Sequence, residues 1–409
     1  MKREKEEFVM NTRKNEKNLT PGYSFIQGFY WINFAAIMGF SSLYLLNCDY
    51  SNTQIGIIIA VAGMISAILQ PVIASYADRP SSISIKKMIL FFSVVQIILA
   101  VLVLLTYQKV FLLTGLFYGC LITLLQLLLP LVNSLGMESI NQGRNLNFGV
   151  ARGMGSVAYA IFSYALGIVI AKTGARFVPV SIIVMFSVLV VSLLLFPFEK
   201  AEKKSAKSGG KHSSNPFAFF MKYKRFSVVL VGCVLVYISH VLLNNFTFQI
   251  VESKGGGSEE MGFVMAFGAL VELPTLFGFG FMMKKVRCDI WFRISGIFFM
   301  LKTLGTLLAP NIPVFYAVQI FQMLGWALIA VSSVYYVNSI MDEQDAIKGQ
   351  AYMTMTYTLG SVIGALLGGA LIDMAGVNMM LVFGTAAAAV GMVIMLAASE
   401  KGRNPDKVR

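Results

Sequence analysis

Twelve stretches of this chain are apolar over a length that crosses a lipid bilayer, and that succession leaves few folds open to it. A crossing helix needs about 20 residues at about 1.5 Å rise each. Charged or Gly/Pro breaks delimit such runs at 23–47, 54–77, 88–107, 110–134, 148–172, 177–197, 226–250, 261–283, 291–308, 313–338, 351–374 and 379–399. The whole chain is 57% hydrophobic and 13% charged, with a mean hydropathy of +0.73, too apolar for an ordinary water-soluble domain. The expectation is an all-α membrane protein with twelve transmembrane helices.

Charge placement tests that count independently, because cytoplasmic loops carry excess Lys and Arg. With both termini cytoplasmic, the outward loops hold Lys109, Lys172, Arg176 and Lys254, and the spans hold Arg152 and Lys302. The rest of the 33 basic residues fall inward, and an odd number of helices would scramble this asymmetry. The net charge of +13 is therefore read as topology. Basic tracts beside membrane helices meet anionic lipid, so the bilayer is the expected partner and no nucleic acid is needed. Residues 1–22 are charged and no small-residue cleavage site follows the first span, so that span is expected to be retained. These features place the chain in the cell membrane as a multi-pass protein.

The composition changes abruptly at 199–225, where Lys and Arg interleave with Ser and Gly. The expected organisation is a cytoplasmic N-terminal segment (1–22), a six-helix bundle (23–197), a basic cytoplasmic linker (198–225), a second six-helix bundle (226–399) and a cytoplasmic tail (400–409). The linker reads as a solvated flexible tether, with a short helix of Phe217, Phe219 and Phe220 lying on the membrane surface as the alternative. Weak internal similarity supports two pseudo-symmetric halves: Gly155-Ser156-Val157 matches Gly360-Ser361-Val362 at an offset of 205 residues. Parallel repeats of this kind build transporters that hold substrate between their halves near the midplane, although apolar helices also resemble one another by chance. Gly360, Gly364 and Gly368 form a small-residue stripe that lets a neighbouring helix approach closely, and Pro71 and Pro274 permit bends.

Enzyme chemistry is not expected. There is no HExxH, GxSxG, Walker loop or CxxC set, and the soluble segments are too short for a catalytic domain. Cys48, Cys120, Cys233 and Cys288 lack pairing or metal spacing and read as apolar filler, so neither metal nor cofactor is expected.

Gly56-Ile57-Ile58, Gln70-Pro71 and Asp78, together with Asn145, Phe148-Gly149, Ala151-Arg152 and Gly155, resemble the oligosaccharide/proton symporter branch of the major facilitator superfamily, the lactose permease family. The resemblance extends loosely over nearly the whole chain and implies the major facilitator fold. It matches Arg152 to that family's sugar-binding arginine and places Lys302 where the family has an arginine. Asp78 and Arg79 fall in its conformational loop between spans 2 and 3, although Ser75 and Pro80 break the usual glycine pattern. Other positions depart: Ser134 beside Asn133, Ala269, Gln319, Gln322 and Gly325 stand where the family places charged or titratable groups. The family's proton relay is therefore not expected in its usual form.

Three formal charges sit deep inside the spans, Glu272, Lys302 and Arg152, and charge far from water persists where it pairs, binds ligand or carries protons. Glu272 near mid-span is the candidate proton carrier and Lys302 its modulator, with a permanent ion pair bracing two helices as the bland reading. Arg152 is the candidate substrate anchor, its fork of donors suiting hydroxyl pairs or carboxylates; a snorkelling arginine is the alternative. Asn133, Tyr159, His240, Asn245, Gln319 and Gln322 complete the candidate substrate-binding set, Gln319 and Gln322 sharing a face at three-residue spacing. The expected function is alternating-access transport by a monomer, with proton-coupled uptake of a sugar, oligosaccharide or glycoside. The alternative substrates are an organic anion such as an aromatic carboxylate, nucleosides or amphipathic compounds.

Overall fold

A computed structural model describes residues 18–77, 82–108, 110–198 and 216–402. Asp78 and Arg79, the expected conformational loop, lie outside the described residues. Among the described residues, ten helices are long and apolar enough to cross a membrane. One of them, Lys348–Ala398, is two crossings joined at Gly376, and Thr20–Leu46 adds another that a π-helical segment interrupts, which gives the expected twelve.

The first crossing comprises α1 (Thr20–Phe34), a π segment (Ala35–Gly39) and α2 (Ser41–Leu46). Five further crossings follow: α3 (Asn52–Ala77), α4 (Ile85–Thr106), α5 (Phe111–Asn141), α6 (Phe148–Thr173) and α7 (Phe177–Leu195). A short helix α8 (Pro216–Lys222) precedes α9 (Lys224–Asn245) and α10 (Thr247–Ser253). Then come α11 (Ser258–Lys285), α12 (Cys288–Leu308), α13 (Ile312–Val318), a 3-10 segment (Gln319–Gln322), α14 (Trp326–Ile340) and α15 (Glu343–Ala398).

Local chemistry explains the breaks. Ser84 caps α4 by accepting from Lys87 N, and Asn311 caps α13 by accepting from Val314 N. Glu260 in the first turn of α11 accepts from Gly257 N at 2.7 Å, tying down the helix start. Gly376 has φ 81°, a left-handed conformation that breaks α15 and that a side chain would strain. Large apolar side chains stand bare on the helix surfaces, Leu195 at 79% and Met374 at 83% exposure, as lipid-facing helices require.

By contacts the chain divides into two compact units. Unit 1 takes in the described residues of Met1–Met38, Ile65–Ser163 and Arg176–Gly209; unit 2 takes in those of Gly39–Met64, Tyr164–Ala175 and Gly210–Arg409. In unit 2 the glycine stripe of α15 closes on α9. A Cβ on Gly360 would meet Tyr237 at 2.6 Å, one on Gly364 the Ile238 carbonyl at 3.0 Å, and one on Gly368 the Phe246 ring at 2.4 Å. Without those side chains the two helices pack at close range.

The aromatic segment α8 takes the form of the short helix rather than of the flexible tether. Its Phe219 is only 5% exposed and packs on Tyr223, Phe226 and Tyr352. Packing against these rings removes its apolar surface from water.

Candidate functional site

Each unit holds a polar cluster inside its apolar helices. In unit 2 the cluster grows from the interrupted crossing α13–α14. The 3-10 segment puts Gln319 and Gln322 three apart on one edge, since side chains at that spacing eclipse in a 3-10 helix. Gly325 leaves helical geometry (φ −88°, ψ −92°), and a Cβ there would lie 3.6 Å from Phe299 N on α12. The break therefore occurs where α12 runs close, and it turns Gln322 toward Lys302.

Gln322 then joins the two charged residues of this region. Its side-chain carbonyl accepts from Lys302 Nζ, and its Nε2 donates to Glu272 Oε1 at 2.7 Å. Lys302 is only 5% exposed, and an ammonium so placed needs an acceptor with charge nearby. The sequence reading expected Glu272 and Lys302 to approach each other; the structure inserts an amide into the line between them. Gln319 has a different fate, its Nε2 donating to Phe315 O in the preceding turn.

Aromatic rings flank this chain of polar groups. His240 on α9 stacks on Trp326 with ring centroids 4.3 Å apart and planes 6° apart, and meets Phe299 edge-on at 5.4 Å. Tyr237 and Tyr357 contact the same indole edge-on or tilted. Asn244 donates through Nδ2 to the His240 carbonyl at 2.8 Å and lies 3.1 Å from His240 Nε2. With that nitrogen accepting, the ring proton sits on Nδ1, which is buried without a partner among the described residues. Asn245 Nδ2 is likewise a buried donor without one.

In unit 1 the guanidinium of Arg152 lies over the Trp31 ring, 4.0 Å from its centroid, and Nη1 donates to Ser156 Oγ at 3.3 Å. Gly155 makes room for that indole: a Cβ would meet Trp31 Cδ1 at 2.6 Å. Trp31 Nε1 donates to Gln27 Oε1, and Gln27 Nε2 donates to Tyr23 OH at 2.8 Å and to Asn133 Oδ1 at 3.2 Å. Tyr23 OH in turn donates to Val132 O. Arg152 thus occupies the second turn of α6, near one end of its helix, whereas Glu272 is at the middle of α11. Tyr159 lies two turns further along α6 and is partly buried. A separate cavity of about 390 Å³ opens between α3, α4 and α5, with Gln70, Ser134, Glu138 and Asn141 among its lining.

Sequence reasoning missed Gln27 and Trp31 as partners in the Arg152 network. Their signal was present, since a glutamine and a tryptophan four residues apart in an apolar span share a helix face. It also missed Asp373, whose carboxylate accepts from Asn52 N, Asn52 Nδ2 and Thr53 N at the start of α3. Among the described residues no group of three or more His, Cys, Asp or Glu side chains is gathered as a metal would need.

The family described as MFS_1 like matches residues 23–383. No curated protein gives a significant sequence match. Among solved structures, a point mutant of the nucleoside transporter NupG superposes with a TM-score of 0.81 at 13% identity, covering 94% of this chain and 100% of that one. An auto-inhibited POT family peptide transporter gives 0.68 at 11% identity, with 92% and 95% covered. A bacterial homologue of the human lysosomal transporter Spinster, inward-facing and unoccupied, gives 0.65 at 12% identity, with 93% and 95% covered. At such identities the likeness is one of fold.

Proposed function

This chain belongs to the MFS_1 like family, and on that footing we propose that it couples a proton to the passage of a glycoside bearing an aromatic group, nucleosides included. It is a multi-pass membrane transporter of the major facilitator type. The observation that carries the coupling is the line from the partly buried Glu272 through the buried Gln322 to the buried Lys302. A carboxylate at mid-helix, with an amide and an ammonium in sequence, exchanges a proton at a cost that its neighbours set.

The substrate class follows from what surrounds that line. Amides both donate and accept, which suits hydroxyl groups. Trp326, Tyr237 and Tyr357 offer ring faces and edges suited to an aromatic aglycone or base. Arg152, held flat on Trp31, carries a planar fork of donors suited to hydroxyl or carboxylate oxygens, and we assign it as the substrate anchor of unit 1. The superposition on a nucleoside transporter supports the same class. The motif at Gly56, Gln70 and Pro71 supports a place near the oligosaccharide/proton symporters. We place the protein in the cell membrane with both termini cytoplasmic, as the distribution of basic residues supports.

One observation favours a second reading. Arg152 and Lys302 outnumber Glu272 among the interior charges, and that balance suits an aromatic carboxylate. Counterflow into proteoliposomes separates the two: uridine, adenosine or phenyl β-glucoside exchanging while benzoate does not supports the glycoside, and the reverse supports the anion. Glu272→Gln should abolish uptake driven by a proton gradient, and unchanged driven uptake would remove Glu272 from the coupling role.

A further inference from the structure

We infer that Gln322 is the element that transmits the protonation state of Glu272 to Lys302, so that Lys302 becomes free to bind an acceptor oxygen of the substrate only after Glu272 has taken up a proton. This rests on the proton-coupled reading above and deepens it. The geometry is specific: Gln322 is buried, its one carbonyl oxygen accepts from Lys302 and its NH₂ donates to Glu272. An amide has one donor end and one acceptor end, so its orientation is fixed by which neighbour needs which.

With Glu272 ionised, both ends are matched. The carboxylate only accepts and the ammonium only donates, and both hydrogen bonds are charge-assisted. In this state Lys302 is held and its charge is balanced. When Glu272 gains a proton, its bond to Gln322 loses the charge assistance and about half its strength. The carboxylic acid now also carries an O–H donor, for which the amide carbonyl is the fitting acceptor. If the amide turns to accept it, Nε2 faces the Lys302 ammonium, donor against donor, and Lys302 is expelled. Its charge then loses its counter-charge in a buried setting, a strongly unfavourable state. An oxygen of the substrate, whether hydroxyl, carbonyl or carboxylate, satisfies it. Proton and substrate thereby load together, and the proton leaves to water as the amide turns back.

The charged and titratable groups on the elements around this line are these: α10 and α14, which pack on α11, carry Glu252, Tyr335 and Tyr336. The helices packed on the 3-10 segment are α11, α12 and α13. On α11, Glu259 and Glu260 lie in the first turn and Lys284 and Lys285 in the last. On α12, Asp289 engages Arg287, and Arg293 donates to Ser399 O. α13 contributes Tyr316 alone. His240 on α9 is within electrostatic reach of Lys302, and Tyr237 and Tyr357 are further titratable groups of the cluster.

The test is the pH dependence of substrate affinity, measured as the concentration dependence of counterflow with the best exchanged of uridine, adenosine, phenyl β-glucoside and benzoate. Wild-type affinity should fall about tenfold per pH unit above the titration of Glu272, since the competent fraction falls by that factor. Gln322→Leu should flatten this slope. Gln322→Asn keeps the polarity but is too short to reach both partners, and should flatten it as well, which keeps the test decisive if the leucine variant does not assemble. A wild-type slope in either variant overturns the role of Gln322 and leaves proton coupling standing. A flat profile in the wild type itself, without substrate-driven proton movement, overturns the coupled reading instead.

Discussion

The carboxylate of Asp373 on α15 accepts a hydrogen bond from the backbone N–H of Thr53 on α3 at 2.7 Å, across 320 residues of sequence. Its other oxygen accepts from Asn52 N and Asn52 Nδ2, so one acidic side chain supplies the cap that the first turn of α3 lacks within its own strand of sequence. An anion at a helix N-terminus satisfies free N–H groups and meets the positive end of the macrodipole. Gln249 extends the contact by donating to Asn52 Oδ1 at 2.8 Å.

Removing this cap should loosen unit 2 at the start of α3. Asp373→Ala is expected to lower stability by about 1–2 kcal/mol, read as a lower Tm in detergent, and to raise the rate at which a cysteine introduced at position 54 is alkylated. Unaltered melting and labelling would show the cap to be inert.

The same region depends on the absence of side chains. A Cβ on Gly56 would stand 2.2 Å from Ala365 O, and one on Gly369 2.0 Å from Asn52 O. Gly369→Ala should therefore separate α3 from α15 and reduce exchange, whereas Gly63→Ala, with nothing within 4 Å, should leave the melting temperature within error of wild type.

Trp31 and Arg152 form a cation–π pair of a kind worth about 0.5–2 kcal/mol. Trp31→Leu should free the guanidinium from its fixed orientation and raise the half-saturating substrate concentration by up to about thirtyfold. Arg152→Lys keeps the charge but loses the fork, and is expected to weaken binding further. Equal affinities in all three proteins would detach Arg152 from substrate.

On the linker side, Lys222 bridges Asp342 at 3.0 Å and Asp345 at 2.7 Å, with Tyr223 OH also donating to Asp345. The Lys222 ammonium holds the Asp345 carboxyl below its ordinary value of 3.8. A carboxyl depressed in the folded state stabilises above its unfolded value, and that contribution is lost as pH falls through the folded one. The groups are largely exposed, so the effect is small and screened by salt. Asp345→Asn should lower Tm at neutral pH, and its difference from wild type should narrow below about pH 4 and in high salt.

Much of the fold was readable from single residues and their neighbours in sequence. The apolar runs gave the crossings, because lipid demands that a segment of that length satisfy its own backbone. Gly360, Gly364 and Gly368 announced a close helix contact, which α9 supplies at Tyr237, Ile238 and Phe246. Glu272, Lys302 and Gln322 stood out as polar groups in apolar spans, and the structure gathers them. The interruptions were harder to read: the π segment at Ala35–Gly39 and the 3-10 segment at Gln319–Gln322 involve neither a proline nor a charged break.

Sequence by itself thus determined how many times the chain crosses, which residues carry charge into the apolar layer, and where helices can approach closely. Only the tertiary structure decided who meets whom. A helix that is apolar nearly all round has no clear inward stripe, so its sequence does not say which neighbour each face receives. Hence Gln322 standing between Glu272 and Lys302, and Asp373 capping α3, came from packing between distant segments, where a few ångströms of helix placement select the partner.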